Sequence, residues 1–265
     1  MSIQTGQNAY FHPGVRRVVE ISPHAKQITL HDQRYYRRDI GVYYPSVTYV
    51  LSYFPKNKFF ESWMKDVGHN ADIIMRRAAE EGTQVHKGIE TILNGEELTW
   101  IEENGYVNYP TDVWKMIAKF ADFWSTHNPT LIASECHLFS DTYKFAGTGD
   151  IVCTINDENW LIDIKTSNSI HKSFDLQTAA YATAWNETHN VPIHRRGILW
   201  LKSTKRGPDK QGKKIQGDGW ELRESEKSLE EDFELFNIAY KLFLLENVDT
   251  QPAIEQLPNI IKLEK

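Results

Sequence analysis

The sequence predicts an α/β (α+β) chain in which a mixed central β-sheet is flanked by helices. Three observations predict it. Residues 71–97 and 111–128 repeat apolar side chains at helical spacing. Residues 130–140, 147–155 and 159–167 read as three successive strands joined by short polar turns. A helical run at 174–190 then leads to another strand at 195–203, a crossover that makes the sheet mixed.

In chain order, "RRVVEIS" (16–22) and "KQITLHDQRYYRR" (26–38) flank "PHA" and predict an N-terminal β-hairpin. "YPSVTYVLSYFP" opens a helix with Ser46 as its N-cap, and "KNKFFESWMKDVG" continues helical. Ile73, Ile74, Ala78, Val85, Ile89 and Ile92 mark one long helix ending near Gly95. "WELRES" predicts a further strand, and residues 228–247 a last helix. No internal repeat, low-complexity segment or linker rich in Gly, Pro or Ser interrupts the chain. One domain is therefore expected over 1–265: a hairpin embellishment at 1–43, a helical region at 44–128 and the sheet-bearing core at 129–246.

The 265 residues suffice for one large core, and 40% hydrophobic with 25% charged residues is an ordinary globular composition. No apolar run approaches the roughly 18 residues of a membrane span. The start, "MSIQTGQNAYFHPG", has no basic stretch followed by an apolar one. A cytoplasmic protein with no membrane partner is expected. Cys136 and Cys153 are expected as reduced thiols, and two cysteines cannot supply the four thiolates of an iron–sulfur cluster. A net charge of −6 argues against a surface coated for polyanions, but it leaves room for a local basic channel beside an acidic site.

"GTGDIVCTINDENWLIDIKTS", residues 147–167, places Asp150, Asp163 and Lys165 among strand residues that favour burial. With "NDEN" as a four-residue loop, Val152 faces Asp163 and Asp150 faces Lys165. Both aspartates then share one face of the sheet. Spacing alone leaves two readings open. One is a cross-strand ion pair of little energetic value. The other is a pair of carboxylates that repel one another until a divalent cation joins them, with a lysine beside it to orient water or neutralise phosphate.

Taken together, "GTGDIV", "LIDIKTS" and "DLQTAAYA" resemble the core of the PD-(D/E)xK nuclease superfamily, in particular its RecB-type exonuclease branch. "EGTQVHKGIE" resembles that branch's helical histidine motif. "YPSVTYVLSYFP" is similar to the mitochondrial genome maintenance exonuclease group, and the likeness spans roughly residues 44–205. The resemblance implies a restriction-endonuclease-like core with 129–246 as its catalytic part. It implies a Mg²⁺ or Mn²⁺ ion held by His86, Asp150, Asp163 and the Ile164 carbonyl. Lys165 would be the catalytic lysine, Glu135 a supporting acid, and Gln177 and Tyr181 partners of phosphate or of the lysine. The implied activity is metal-dependent DNA exonuclease action on single strands or frayed ends. Its alternatives are a structure-selective flap or junction endonuclease and a non-catalytic DNA-end-binding module. The cysteines of the cluster-bearing relatives are lacking, so no iron–sulfur cluster is expected. No Walker A sequence occurs, so a helicase, like a polymerase or single-strand-binding protein, would be a separate partner in DNA replication, repair or recombination. A bacterial or phage-infected cytoplasm is the expected setting, with an organelle as the other.

Positive charge clusters at 194–216 and in "IIMRR". Arg76, Arg77, Arg195, Arg196, Lys202, Lys205 and Arg206 are therefore expected to contact DNA phosphates. Tyr35, Tyr36, Tyr43 and Tyr44 stand open between stacking on unpaired bases and lining a sheet face.

Overall fold

The computed structural model describes residues 27, 33–39, 41–56, 58, 60–202 and 219–247, and the backbone alone at 11–12, 15–18, 28–30, 59, 205–208, 214–216 and 253–254. Five strands come first: β1 (Phe11–His12), β2 (Val15–Val18), β3 (Gln27–Leu30), β4 (Gln33–Asp39) and β5 (Val42–Pro45). Four helices follow, α1 (Val47–Val50), α2 (Lys58–Val67), α3 (Ala71–Leu93) and α4 (Thr111–His127). Then come β6 (Thr130–Ser140), β7 (Phe145–Ile155), β8 (Glu158–Lys165) and α5 (Ser173–Thr188). The chain continues through β9 (Arg195–Trp200), β10 (Lys205–Pro208), β11 (Lys214–Gln216), β12 (Glu221–Glu224), α6 (Leu229–Glu246) and β13 (Ala253–Ile254).

The central sheet has the order β12-β9-β8-β7-β6. It is mixed as expected: β8 and β9 run parallel across the α5 crossover, and the other neighbours are antiparallel. Alternation along the strands feeds two cores. Val152 and Leu161 pack with α5 and α6, whereas Ile151, Cys153, Ile162 and Ile164 pack with Val85 and Ile89 of α3 and the apolar stripe of α4. Helix α5 is buried over most of its surface, and its alanines (179, 180, 182, 184) both favour the helix and let it lie close between the sheet and α6.

The β7–β8 turn corrects the expected register. Asn156 and Asp157 both have left-handed backbones (φ 49° and 62°), which suits a two-residue hairpin turn, and Glu158 pairs with Ile155 instead of lying in a loop. Val152 therefore faces Leu161, not Asp163. The slip is two residues, so the alternation of faces survives and the aspartates move level with each other.

The N-terminal hairpin is also displaced from its expected position. Residues 26–38 fold back on themselves as β3 and β4, with β5 completing a three-stranded sheet, while β2 lies between β1 and β13. The strands part between Leu30 and Gln33, which pair with each other. Tyr35 and Tyr43 pack into the large core on one face of this sheet, and Tyr36 and Tyr44 into a small cluster with Ala146 on the other. All four are at most 4% exposed and offer no ring to a base. Ser46 caps α1 as expected, accepting the Tyr49 N–H on Oγ at 3.0 Å. The helix stops early, because Phe54 turns extended before Pro55. No helix among the described residues is long and apolar enough to cross a membrane.

Candidate metal centre

Helix α3 brings His86 to the sheet, with Val85 and Ile89 beside it in the core. Gly82 sits one turn earlier, where a Cβ would come 3.1 Å from Thr166 Oγ1, so the small residue lets the helix approach the end of β8. His86 Nδ1 lies 3.6 Å from Glu135 Oε1 and 3.6 Å from Asp150 Oδ1. All three ligand atoms fall within 4.8 Å of one another.

Glu135 reaches this group from a strained backbone. Its φ of 45° is left-handed in the middle of β6, a conformation that costs a non-glycine residue energy and recurs at functional sites. It also breaks the strand's alternation: Ala133 and Cys136, an odd number of residues apart, pack against the same core. Asp150 is held from the other side. Backbone pairing of β7 with β8 ends at Ile151 and Ile162, and beyond it the Ile164 N–H donates to Asp150 Oδ2 at 2.7 Å.

Charge is concentrated here at a cost. Burial lowers the pKa of His86, but the Asp150 and Glu135 carboxylates outweigh it and raise the imidazole from 6.5 to about 9. Burial raises Asp150 above the usual carboxylate range, against the pull of His86 and Lys165. One imidazole nitrogen and two carboxylates form a donor set suited to Mg²⁺ or Mn²⁺. The protonated imidazole supplies positive charge where these carboxylates converge. The residues present therefore fit a divalent cation.

A second cluster adjoins the first through Ile164. Asp163, 1% exposed, accepts from Gln177 Nε2 on Oδ1 at 3.0 Å, and its Oδ2 lies 2.6 Å from Lys165 Nζ. That contact has the distance of an ion pair without hydrogen-bond alignment. Burial pushes the Asp163 carboxyl up to about 6, with Lys165 opposing and Asp150 adding to the rise. Gln177 Oε1 accepts from Lys165 Nζ at 3.2 Å, and its Nε2 also donates to Tyr181 OH at 3.0 Å. The amide is thus oriented by three partners. Tyr181 is packed so closely on Gly147 that a Cβ there would fall 2.3 Å from its ring, which explains the first glycine of "GTGD".

The two clusters contain His86, Glu135, Asp150, Asp163, Lys165, Gln177 and Tyr181. Within them, Asp163 stands outside the three-donor group, facing Lys165 and Gln177, while Glu135 stands inside it. Sequence reading overlooked Phe174, whose ring lies 4.7 Å from Lys165 Nζ. Its position three residues before Gln177, on one helix face, was the available signal.

The basic residues divide. Arg195 pairs with Trp160 in register, Arg196 with Leu161 and Lys165 with Trp200, so Arg195 and Arg196 lie about 17 and about 13 Å along the sheet from Lys165. Arg196 is buried and bound to Asp232, Thr178 and the carbonyls of Asp175, Lys227 and Ser228. Arg195 binds Glu158 and Glu224. The expected phosphate contact of Arg196 is corrected, because Asp232, Thr178 and three carbonyls already take its buried guanidinium. The Arg195 pairs lie at the surface, where such pairs are weak and leave the guanidinium within reach of a phosphate. Arg76 and Arg77 are exposed on α3, Arg77 beside Glu81, and Lys202 Nζ lies 3.9 Å from Glu81. The side chains of Lys205 and Arg206 lie outside the described residues.

No family model matches the chain, and no curated protein does. Among solved structures it is similar to a candidate exonuclease from Eubacterium rectale, with 11% identity and a TM-score of 0.39 over 71% of this chain and 76% of that one. It is also similar to the protein SSO0001, with 14% identity and a TM-score of 0.27 over 61% and 85%. Both likenesses are remote, and the functional reading rests on the site.

Proposed function

We propose that the protein is a metal-dependent DNA exonuclease of the PD-(D/E)xK superfamily's RecB-type branch, acting on single strands or frayed ends. The observation that carries this reading is the His86–Glu135–Asp150 donor group set against the Asp163–Lys165–Gln177 cluster. In this reading His86, Glu135 and Asp150 hold Mg²⁺ or Mn²⁺, with Asp163 and the Ile164 carbonyl completing its surroundings. The ion supplies a Lewis acid and an acidified water for phosphodiester hydrolysis.

The chain's own groups do the rest. Gln177, its amide oriented by Asp163 and Tyr181, turns its carbonyl oxygen to Lys165 and keeps that ammonium at the site. Lys165 directs an N–H toward the attacking water or the phosphate oxygen, where negative charge builds. Arg76, Arg77, Lys202, Lys205 and Arg206 guide the phosphate backbone, with residues 44–128 carrying His86 and 129–246 the catalytic core.

The test incubates the protein and Mg²⁺ with linear strands labelled at either end and with a single-stranded circle. The reading expects shortening of the linear strands from an end, a spared circle, and loss of both labels' release in Asp163→Ala. A degraded circle would replace the exonuclease with the flap or junction endonuclease. Intact linear strands, bound but uncut, would leave an end-binding module.

A further inference from the structure

We infer that Phe174 is a positioning residue for Lys165, holding the ammonium through the face of its ring; this rests on the nuclease reading of the site. Phe174, Gln177 and Tyr181 lie along one stripe of α5. Gln177 and Tyr181 belong to the Asp163 cluster by hydrogen bonds, and Phe174 joins it without one. Its ring stands 4.7 Å from Lys165 Nζ, inside the range where a ring's negative face attracts a cation.

The placement of Phe174 is local and specific. Its N–H donates to the His171 carbonyl at 3.0 Å, closing the turn that leads into α5. The His171 ring meets it at 5.7 Å and 64°, an edge-to-face contact. Phe174 is half-buried and belongs to neither large core cluster, although its neighbour Leu176 does.

Lysine has a flexible four-carbon stem and three N–H donors. Asp163 and Gln177 hold Lys165 at 2.6 and 3.2 Å, and its side chain is 18% exposed. An additional carboxylate would bind the ammonium more tightly but would also take up a donor. An aromatic face restrains the cation and leaves its N–H groups for water or phosphate.

The test places phenylalanines with one, two and three ring fluorines at position 174, alongside Phe174→Leu and Phe174→Trp. Two quantities are read: kcat and KM on a single-stranded oligonucleotide with Mg²⁺, and the NMR signal of the Lys165 ammonium, which is visible only while the group is held out of rapid exchange with water. Fluorine drains the ring face at nearly constant shape. The inference expects kcat and the ammonium signal to fall with each fluorine and to survive in Phe174→Trp. Phe174→Leu should lose about tenfold in kcat, with KM within about twofold. A flat response across the fluorinated series, with loss only in Phe174→Leu, would make Phe174 a packing residue and overturn the inference. Absence of hydrolysis in every protein, wild type included, would sink the nuclease reading, and the ammonium signal would still decide whether Phe174 positions Lys165.

Discussion

The Ile164 N–H donates to the Asp150 carboxylate at 2.7 Å, just beyond the last backbone pair of the β7–β8 ladder. One side chain thus replaces a rung of the sheet, and the same carboxylate presents its other oxygen to His86. The end of the ladder is where the candidate metal group begins. That junction ties the hairpin's folding to the site's chemistry.

Metal binding should be steeply pH-dependent. His86 has its pKa raised to about 9, so at neutral pH the metal-free imidazole is protonated, and a cation must displace that proton. Apparent Mn²⁺ affinity should climb about tenfold per pH unit between roughly 6.5 and 9 and then level off. Calorimetry in buffers of different ionisation enthalpy should show a proton released on binding at pH 7. A pH-independent affinity would remove His86 from the ligand group.

The same shifts make the metal-free protein less stable as pH rises. Asp163 carries a raised carboxyl pKa, about 6 against 3.8, so folding favours its protonated form and stability falls as pH rises between these values. His86 adds a second loss between 6.5 and about 9. Each window is worth on the order of 3 kcal/mol. Denaturant melts at pH 4, 6.5 and 9 should show two downward steps, and saturating Mn²⁺ should flatten the second.

Gly147→Ala should destabilise the protein and disorder the Gln177 network. The new methyl would overlap the Tyr181 ring, which is held by the core and by Gln177. Overpacking of this kind costs ~1–3 kcal/mol. A thermal melt at unchanged midpoint would show that Tyr181 has room to move.

Arg196→Ala should cost ~3–5 kcal/mol, because it leaves Asp232 charged and buried with no cation. Strand binding measured below the melting range should not change. A stable variant with weakened DNA binding would restore Arg196 to the phosphate contacts.

Lys202→Glu should weaken binding of single strands and lower the slope of log affinity against log salt by about one. Lys202 stands at the Lys165 end of β9, only loosely paired with Glu81. An unaltered slope would place the strand elsewhere.

The architecture was legible because periodicity and turn residues are local signals. The helices at 71–97 and 174–190 and the strands at 147–155 and 159–167 announced themselves, and two of their features positioned the site. Register was not legible: "NDEN" permits a two- or four-residue loop, and only the left-handed backbones of Asn156 and Asp157 decide between them. Glu135's conformation was hidden for a related reason, since a single left-handed residue inside a strand leaves no mark on composition. Arg196 misled because a basic run looks the same whether its partner is a phosphate or the buried Asp232. Phe174 could not be recognised before Lys165 had a position in space.

The most direct measurement is anomalous diffraction from crystals soaked in MnCl₂, paired with the same soak of a Glu135→Ala, Asp150→Ala variant. The wild type should show a strong anomalous peak in contact with His86 Nδ1, Glu135 Oε1 and Asp150 Oδ1, and the double variant none. A saturating soak that leaves that position without a peak, or a peak that persists in the double variant, would contradict the metal centre.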